Sequence, residues 1–410
     1  MTDTLKARDA KDVEDAVQWA LGEANALEIL GHGSKRSIGR PPQADLVLDL
    51  SALSGVTLYE PEELVLSAKA GTPLAEIEAL VAGKGQRLAF EPMDCGQLLD
   101  GPIGRGTIGG TIAANLCGPR RLTAGATRDH LLGFSAVSGR GETFKSGGRV
   151  VKNVTGYDFC KLMSGSWGTL AVLTEVTLKT LPKPETEATV VMSGLNDAAA
   201  MGAMAAAMGS TCEVSGAAHL PAATAARFPT GTALAEGSAL TAMRLEGVAP
   251  SVAHRTAALQ AALRCHGETA MIDQEGSGRL WMAIRDVAAF AASRTGPDQP
   301  LWRISTTPTM GHELAARVTG EIEAEVLYDW AGGLVWMATP AAKDAAAGLV
   351  RAAVKAVGGH ATLVRGAAPL RAALDVFEPQ EAGLAALTKR IKQGFDPKGV
   401  LNPGRMWAQV

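Results

Sequence analysis

Three runs of glycine with small and basic neighbours hold the residues whose types and spacing could do chemistry. Leu30-Gly31-His32-Gly33-Ser34-Lys35 follows a strand-like apolar run; its glycines let successive main-chain N–H groups converge, and Ser34 and Lys35 add donors. Such a nest holds the oxygens of a phosphate or pyrophosphate, although a bare turn would use the same glycines. The spacing is neither Gly-x-Gly-x-x-Gly nor a P-loop, which argues against a Rossmann dinucleotide site and a nucleotide triphosphatase. The second run, Gly106-Thr107-Ile-Gly109-Gly110-Thr-Ile-Ala113-Ala114-Asn115, continues through Gly118 and Arg121 to Gly125-Ala-Thr-Arg128-Asp129. Its small side chains leave room for a flat, extended ligand against the backbone, and a helix opening near Ile108 would aim its first N–H groups at negative charge. Close helix–sheet packing would use the same glycines. The third run is Lys152-Asn153-Val-Thr-Gly156-Tyr157-Asp158, followed by Lys161 and Gly165-Ser-Trp-Gly168-Thr-Leu170.

The elements that must position these runs are legible from periodicity. Apolar runs at Leu27–Leu30, Leu46–Leu50, Val56–Leu58 and Leu64–Ala68, separated by Gly, Pro and Asp, predict short strands of an α+β fold. A helix is expected from Pro73, with Thr72 as N-cap, a stripe of Leu74, Ile77, Leu80 and Val81, and Gly83 closing it. A strand at Thr169–Leu178 precedes Leu181-Pro-Lys-Pro184, which reads as a linker, so a domain boundary is placed near 184. Residues 185–384 are alanine-rich and alternate helical stretches such as Ala253–Leu263 with strands such as Leu327–Trp330 and Leu334–Ala338, a second α+β domain. In Ala198–Met208 the residues Met201, Met204 and Met208 share a helical face and are expected in the core. The tail forms a helix over Leu384–Gly394 and a turn-rich segment, Phe395-Asp-Pro-Lys-Gly-Val-Leu-Asn402-Pro-Gly404.

At 410 residues two to three cores are expected, and 39 basic against 42 acidic side chains give a nucleic acid no reason to bind. The five cysteines contain no Cys-x-x-Cys pair for a cluster or dithiol and read as reduced cytosolic thiols. The charged residues Asp3, Lys6, Arg8 and Asp9 leave no apolar run for a signal peptide, and no long apolar stretch predicts a membrane span.

Taken together, in this order and spacing, the runs resemble the FAD-binding domain of the vanillyl-alcohol oxidase and p-cresol methylhydroxylase family, and within it the FAD-binding E subunits of bacterial glycolate oxidases. The tail Phe395-Asp-Pro-Lys-Gly-Val-Leu-Asn402-Pro-Gly404-Arg405 belongs to the same pattern. The resemblance implies a PCMH-type domain of two α/β subdomains over 1–184, completed by 385–410, with 185–384 as a cap. It implies FAD, with the pyrophosphate at Gly31–Lys35, the flavin and ribityl chain along Thr107–Asn115, and the tail folded back toward the ring. The implied cofactor contacts are Gly31, His32, Gly33, Ser34, Lys35, Pro92, Thr107, Gly109, Gly110, Ala113, Asn115, Gly125, Arg128, Asp129, Asn153, Gly156, Tyr157, Asp158, Gly168, Leu170, Asn402 and Arg405. Some members attach flavin through a histidine in the first loop. Here the matching position is Ser34, with His32 a turn residue offset by two, so non-covalent FAD is expected.

The activity so implied is oxidation of a 2-hydroxy acid, glycolate to glyoxylate, as one subunit of a complex with a second FAD-containing subunit and an iron–sulfur subunit. The expected location is cytoplasmic, at the inner membrane only through such partners. Relatives that turn over 2-hydroxy acids directly carry clustered histidines and a glutamate that bind a metal. Here His219, His254, His266, His312 and His360 stand apart, so no metal is expected and no catalytic residue is assigned. The stretch Gly358-Gly-His360-Ala-Thr-Leu-Val-Arg365 is the best remaining place for a carboxylate contact, although the ordinary reading, a strand with solvated ends, outweighs it. Two other readings stay open: an accessory electron-transfer or assembly flavoprotein, and a stand-alone dehydrogenase.

Overall fold

The computed structural model describes residues 3–149, 157–228 and 237–408. A small parallel sheet opens the chain, with Leu46–Asp49 between Asp3–Lys6 and Leu27–Leu30. Helix Ala10–Glu23 packs on it through Val13, Val17 and Ala20; the Asp9 side chain caps its start by accepting from the Asp12 N–H. An antiparallel five-stranded sheet follows in the order Val56–Glu60, Val65–Lys69, Ala171–Lys179, Leu131–Ser138, Thr143–Gly147. Val137 and Val172 of this sheet share one apolar core with Leu27 and Leu48 of the first. The loop after Leu30 and the short helix Ile108–Ala114 are thereby held against each other.

The third sheet has eight antiparallel strands, ordered Ala270–Ile272, Thr186–Ser193, Leu240–Gly247, Gly216–Leu220, Glu325–Asp329, Leu334–Ala338, Leu301–Ser305, His360–Arg365. One face is covered by helices Asp197–Met208, Ala249–Leu263, Gly311–Thr319 and Ala347–Val357, whose Met201, Leu259, Leu314 and Val350 are buried there. Met204 is buried as expected, while Met208 lies partly buried at the core's edge. The opposite face, with Leu301, Leu327, Leu334 and Trp336, shares a core with the five-stranded sheet.

Two local expectations change. Thr72 does not cap its helix, which spans Leu74–Ala82 with Leu80 exposed; the buried Thr72 hydroxyl instead donates to Lys69 O and accepts from the Gly55 N–H, 2.9 Å away. Leu181 and Pro182, expected in a free linker, pair with Arg87 and Gln86. The tail, a turn-rich segment that needs support from the rest of the fold, receives it. Helix Ala382–Phe395 sets Phe395 against Phe144 and Phe159, with ring centroids 5.8 Å apart in each pair. The buried Asp396 carboxylate then accepts from Lys392 Nζ at 2.7 Å and from the N–H groups of Val400 and Leu401.

Candidate cofactor cleft

A cleft with about 790 Å³ of empty space, the open solvent at its mouth included, lies where the two small sheets meet. Four separated stretches form its walls: Ile29–Arg36, Thr107 with Gly109, Gly110 and Ala113, Ser166–Gly168, and Asn402 with Arg405. Each is there for a local reason. The strand Leu27–Leu30 ends at Gly31, where a Cβ would stand 2.6 Å from Thr107 Oγ1, so glycine is what lets the two walls touch. Gly33 takes a left-handed φ of 74°, and nothing lies within 4 Å of where a Cβ would stand, so its outer side is open. Gly109 sits as tightly on Ala70, at 2.7 Å from a would-be Cβ.

The tail supplies the fourth wall through hydrogen bonds that only an amide side chain satisfies. Asn402 Oδ1 accepts from the Ile29 N–H and its Nδ2 donates to Trp167 O, both at 2.8 Å, while Leu27 and Leu401 pair in parallel. Arg405 is buried, donates through Nη2 to Lys35 O at 2.8 Å and lies over the Trp167 ring. Burial pushes its guanidinium down to about 10, with Glu28 opposing, so it is a cation at neutral pH. His32 lines the cleft, and its pKa is lowered first by burial and then by the Arg105 charge.

The donors of this cleft fit a dinucleotide cofactor, with one relocation. Among the described residues, the N–H groups of His32, Gly33, Ser34 and Lys35 meet no acceptor. By contrast, the N–H groups of Ile108, Gly109 and Gly110 are taken by Thr72 O, Ala70 O and Thr107 Oγ1. The amides free to meet an anion are thus those of the first loop, where the resemblance puts the pyrophosphate, and not those of the helix start at Ile108. His32 Nδ1 and Arg405 Nε are buried in the cleft wall with no partner among the described residues, as groups awaiting a ligand would be. The floor, from Leu30, Leu50, Ala70, Ala171 and Leu173, is apolar and suits a flat ring.

Of the residues expected at the cofactor, Gly31, His32, Gly33, Ser34, Lys35, Thr107, Gly109, Gly110, Ala113, Gly168, Asn402 and Arg405 come together here. Others stand apart from the lining and have work elsewhere. Asn115 adopts a left-handed φ of 50° at the end of its helix and accepts from the Arg128 N–H. Asp129 caps Ala126 N and pairs with Lys161 at 2.9 Å; a Cβ at Gly125 would meet it at 3.0 Å. The Arg128 side chain is half exposed, and Tyr157 is 84% exposed. Asp158 caps helix Phe159–Met163, Leu170 is in the core, and Pro92 lines a different depression beside Arg120 and Trp281. Asn153 and Gly156 lie outside the described residues. Sequence reasoning missed Ile29, Leu30, Arg36, Leu50, Ala70, Ser166, Trp167, Ala171 and Leu173 as contacts, although Leu30, Ser166 and Trp167 lie inside the glycine-rich runs. Arg365, considered for a carboxylate, spends its guanidinium on Gln299 O, Leu98 O, Phe290 O and Thr295 Oγ1, which leaves no free donor edge for a substrate.

Comparison with known proteins agrees with this geometry. The FAD binding domain family matches residues 4–147. Glycolate oxidase subunit GlcE of Escherichia coli (strain K12) is 33% identical over 399 residues, 97% of each chain. Glycolate oxidase subunit GlcD of Bacillus subtilis (strain 168) is 34% identical over 151 residues, 37% of this chain and 30% of that one. Among solved structures, p-cresol methylhydroxylase with substrate bound superposes with a TM-score of 0.72 at 13% identity, over 99% of this chain and 88% of the other, which speaks for the fold. With the cleft, the cofactor domain and a relative matched from end to end, the chain belongs to the GlcE family of FAD-linked oxidoreductases.

Proposed function

We propose that the chain is the FAD-binding subunit of a glycolate oxidase, taking part in the oxidation of glycolate to glyoxylate and passing the electrons to partner subunits. The observation that carries the reading is the convergence of four glycine- and tail-derived walls on one cleft with unpartnered main-chain donors. The end-to-end relative is a glycolate oxidase subunit, and so is the relative of the N-terminal part. FAD, when bound, supplies acceptance of a hydride equivalent from a carbon bearing a hydroxyl. The chain's own residues do the rest. The N–H groups of His32–Lys35 offset the pyrophosphate charge, Arg405 adds a buried cation next to that loop, and the apolar floor excludes water. Held by such contacts, the cofactor is bound without a covalent link, Ser34 standing where some members have histidine.

With five scattered cysteines the chain has no cluster motif of its own, so the partners we propose are a second FAD-containing subunit and an iron–sulfur subunit. Anaerobic mixing of the FAD-loaded chain with glycolate tests the reading by absorbance. Bleaching of the flavin band is expected; bleaching only after a second flavoprotein subunit is added assigns turnover to that partner, and none in the complete complex overturns the reading.

A further inference from the structure

Among the described residues, Arg121 and Arg303 are two inward-facing side chains whose charge the fold does not answer. Arg121, in the short helix Arg121–Ala124 of the cofactor-binding part, lies with its guanidinium carbon 4.3 Å from the Trp330 ring centre. Arg303, from the strand Leu301–Ser305 of the eight-stranded sheet, lies 5.0 Å from the same ring and 5.9 Å from that of Trp336. Neither guanidinium makes a hydrogen bond or ion pair among the described residues, whereas most other semi-buried arginines here, such as Arg120, Arg244, Arg351 and Arg365, are fully engaged. Asp329 is the carboxyl that bears on Arg303, yet it accepts from the Trp330 N–H, and burial pushes it up to about 7, so its counter-charge is incomplete at neutral pH.

The surroundings are those of a recognition face. In register, Arg303 stands between Trp336 and Thr362 on adjacent strands, so the three share one face of the sheet; His360 and Ser305 pair on that same face. Leu301, Leu334 and Trp336 of this face pack in the core shared with the cofactor-binding part. His360 stands exposed at the start of its strand, and its pKa is lowered first by partial desolvation and then by the Arg303, Arg121 and Arg351 charges, with Glu378, which pairs with Arg351, opposing. Trp330 is itself fixed: its indole N–H donates to Gly118 O at 3.1 Å, and its backbone has a left-handed φ of 52°. A residue held in that conformation is maintained by its neighbours, and such positions cluster at ligand clamps. Two like charges on one indole, one from each part of the molecule, are together disfavoured until an anion joins them. Guanidinium is the group suited to a carboxylate, which it meets with two parallel N–H donors.

We propose that Arg121 and Arg303, braced on Trp330, form a binding site for a small monocarboxylate between the cofactor-binding part and the eight-stranded sheet. The choice of a 2-hydroxy acid as occupant rests on the function proposed above; the site itself rests on the two unanswered cations. The test uses the full chain with FAD, read by tryptophan fluorescence and titration calorimetry with glycolate, and with glycolamide as its neutral counterpart. Saturable binding of glycolate and none of glycolamide is expected in the wild type. Arg303→Gln and Arg121→Gln should each weaken glycolate roughly ten- to a hundredfold, the loss of a charge-assisted hydrogen-bonded contact. Arg279→Gln, at an exposed pair, should leave it unchanged. Glycolate affinity indifferent to both substitutions, equal binding of glycolamide, or no saturable binding of glycolate overturns the site. The wild-type comparison of glycolate with glycolamide decides even where a variant does not fold. FAD uptake, followed by its absorbance in every sample, separates the two readings: failure of the site with FAD still bound leaves the flavoprotein reading standing, and failure to bind FAD removes that reading.

Discussion

A Cβ at residue 31 would stand 2.6 Å from Thr107 Oγ1, so the contact between two walls of the cleft depends on a hydrogen atom. Gly31→Ala is expected to cost about 1–3 kcal/mol of stability by overpacking and to weaken FAD at least tenfold, measured by quenching of free FAD fluorescence on titration. Asp329 gives a pH test. Its carboxyl is pushed up to about 7 by burial, against 3.8 for an ordinary aspartate, so between those values the unfolded chain releases a proton that the folded chain keeps. Stability at this site is therefore lost as pH rises through that window. Asp329→Asn keeps the acceptor for the Trp330 N–H and is expected to raise the melting temperature at pH 8 more than at pH 5, read by thermal unfolding at both. At this scale the sequence was legible wherever the main chain does the work, because a glycine that must be glycine leaves its mark locally. It was misleading around Gly125, Asp129 and Asp158, where the same small and acidic residues cap short helices.

At the scale of elements, the tail's place beside the cleft was legible only through the family resemblance, and its anchoring was not legible at all. Nothing local in Phe395-Asp-Pro-Lys-Gly-Val-Leu-Asn402 states that Asp396 will gather Lys392, Val400 and Leu401, or that Leu401 will pair with Leu27. That pairing covers the open edge of the strand Leu27–Leu30, an edge that would otherwise present unpaired donors and acceptors. Asp396→Asn leaves the Lys392 ammonium buried without its counter-ion and is expected to cost about 3–5 kcal/mol. The tail should then detach before global unfolding, seen as faster amide exchange at Leu27, Ile29, Leu401 and Asn402, together with weaker FAD binding. The strands named from sequence fell within a residue or two of their places, since alternation and flanking glycines fix them, while others, such as Leu131–Ser138, Thr186–Ser193 and Leu240–Gly247, went unread. The order of the eight-stranded sheet was not, because Gly216–Leu220 lies beside Glu325–Asp329, and pairing across such separations depends on shape that a single sequence does not display.

For the molecule as a whole, a buried ionic lattice joins the cofactor-binding part to the eight-stranded sheet. Glu91 accepts from Arg244 at 2.9 and 3.0 Å and pairs with Arg120, while Glu246 takes Arg120 and Arg87. The surrounding arginines hold both carboxyls below the usual range against the cost of burial. Glu91→Gln leaves these cations unanswered and is expected to cost about 3–5 kcal/mol and to split one calorimetric unfolding transition into two. Glu91 and Arg244 are 153 positions apart in the chain, which is why no reading of neighbouring residues found the lattice. The cleft has a further bearing on how such a protein can be dissected or inherited. Since residues near 30, 110, 167 and 402 each contribute a wall, the N-terminal part is no portable cassette: a gene fragment ending at residue 184, or a recombinant that joins it to a foreign partner there, carries three walls and an open side where Asn402 and Arg405 belong.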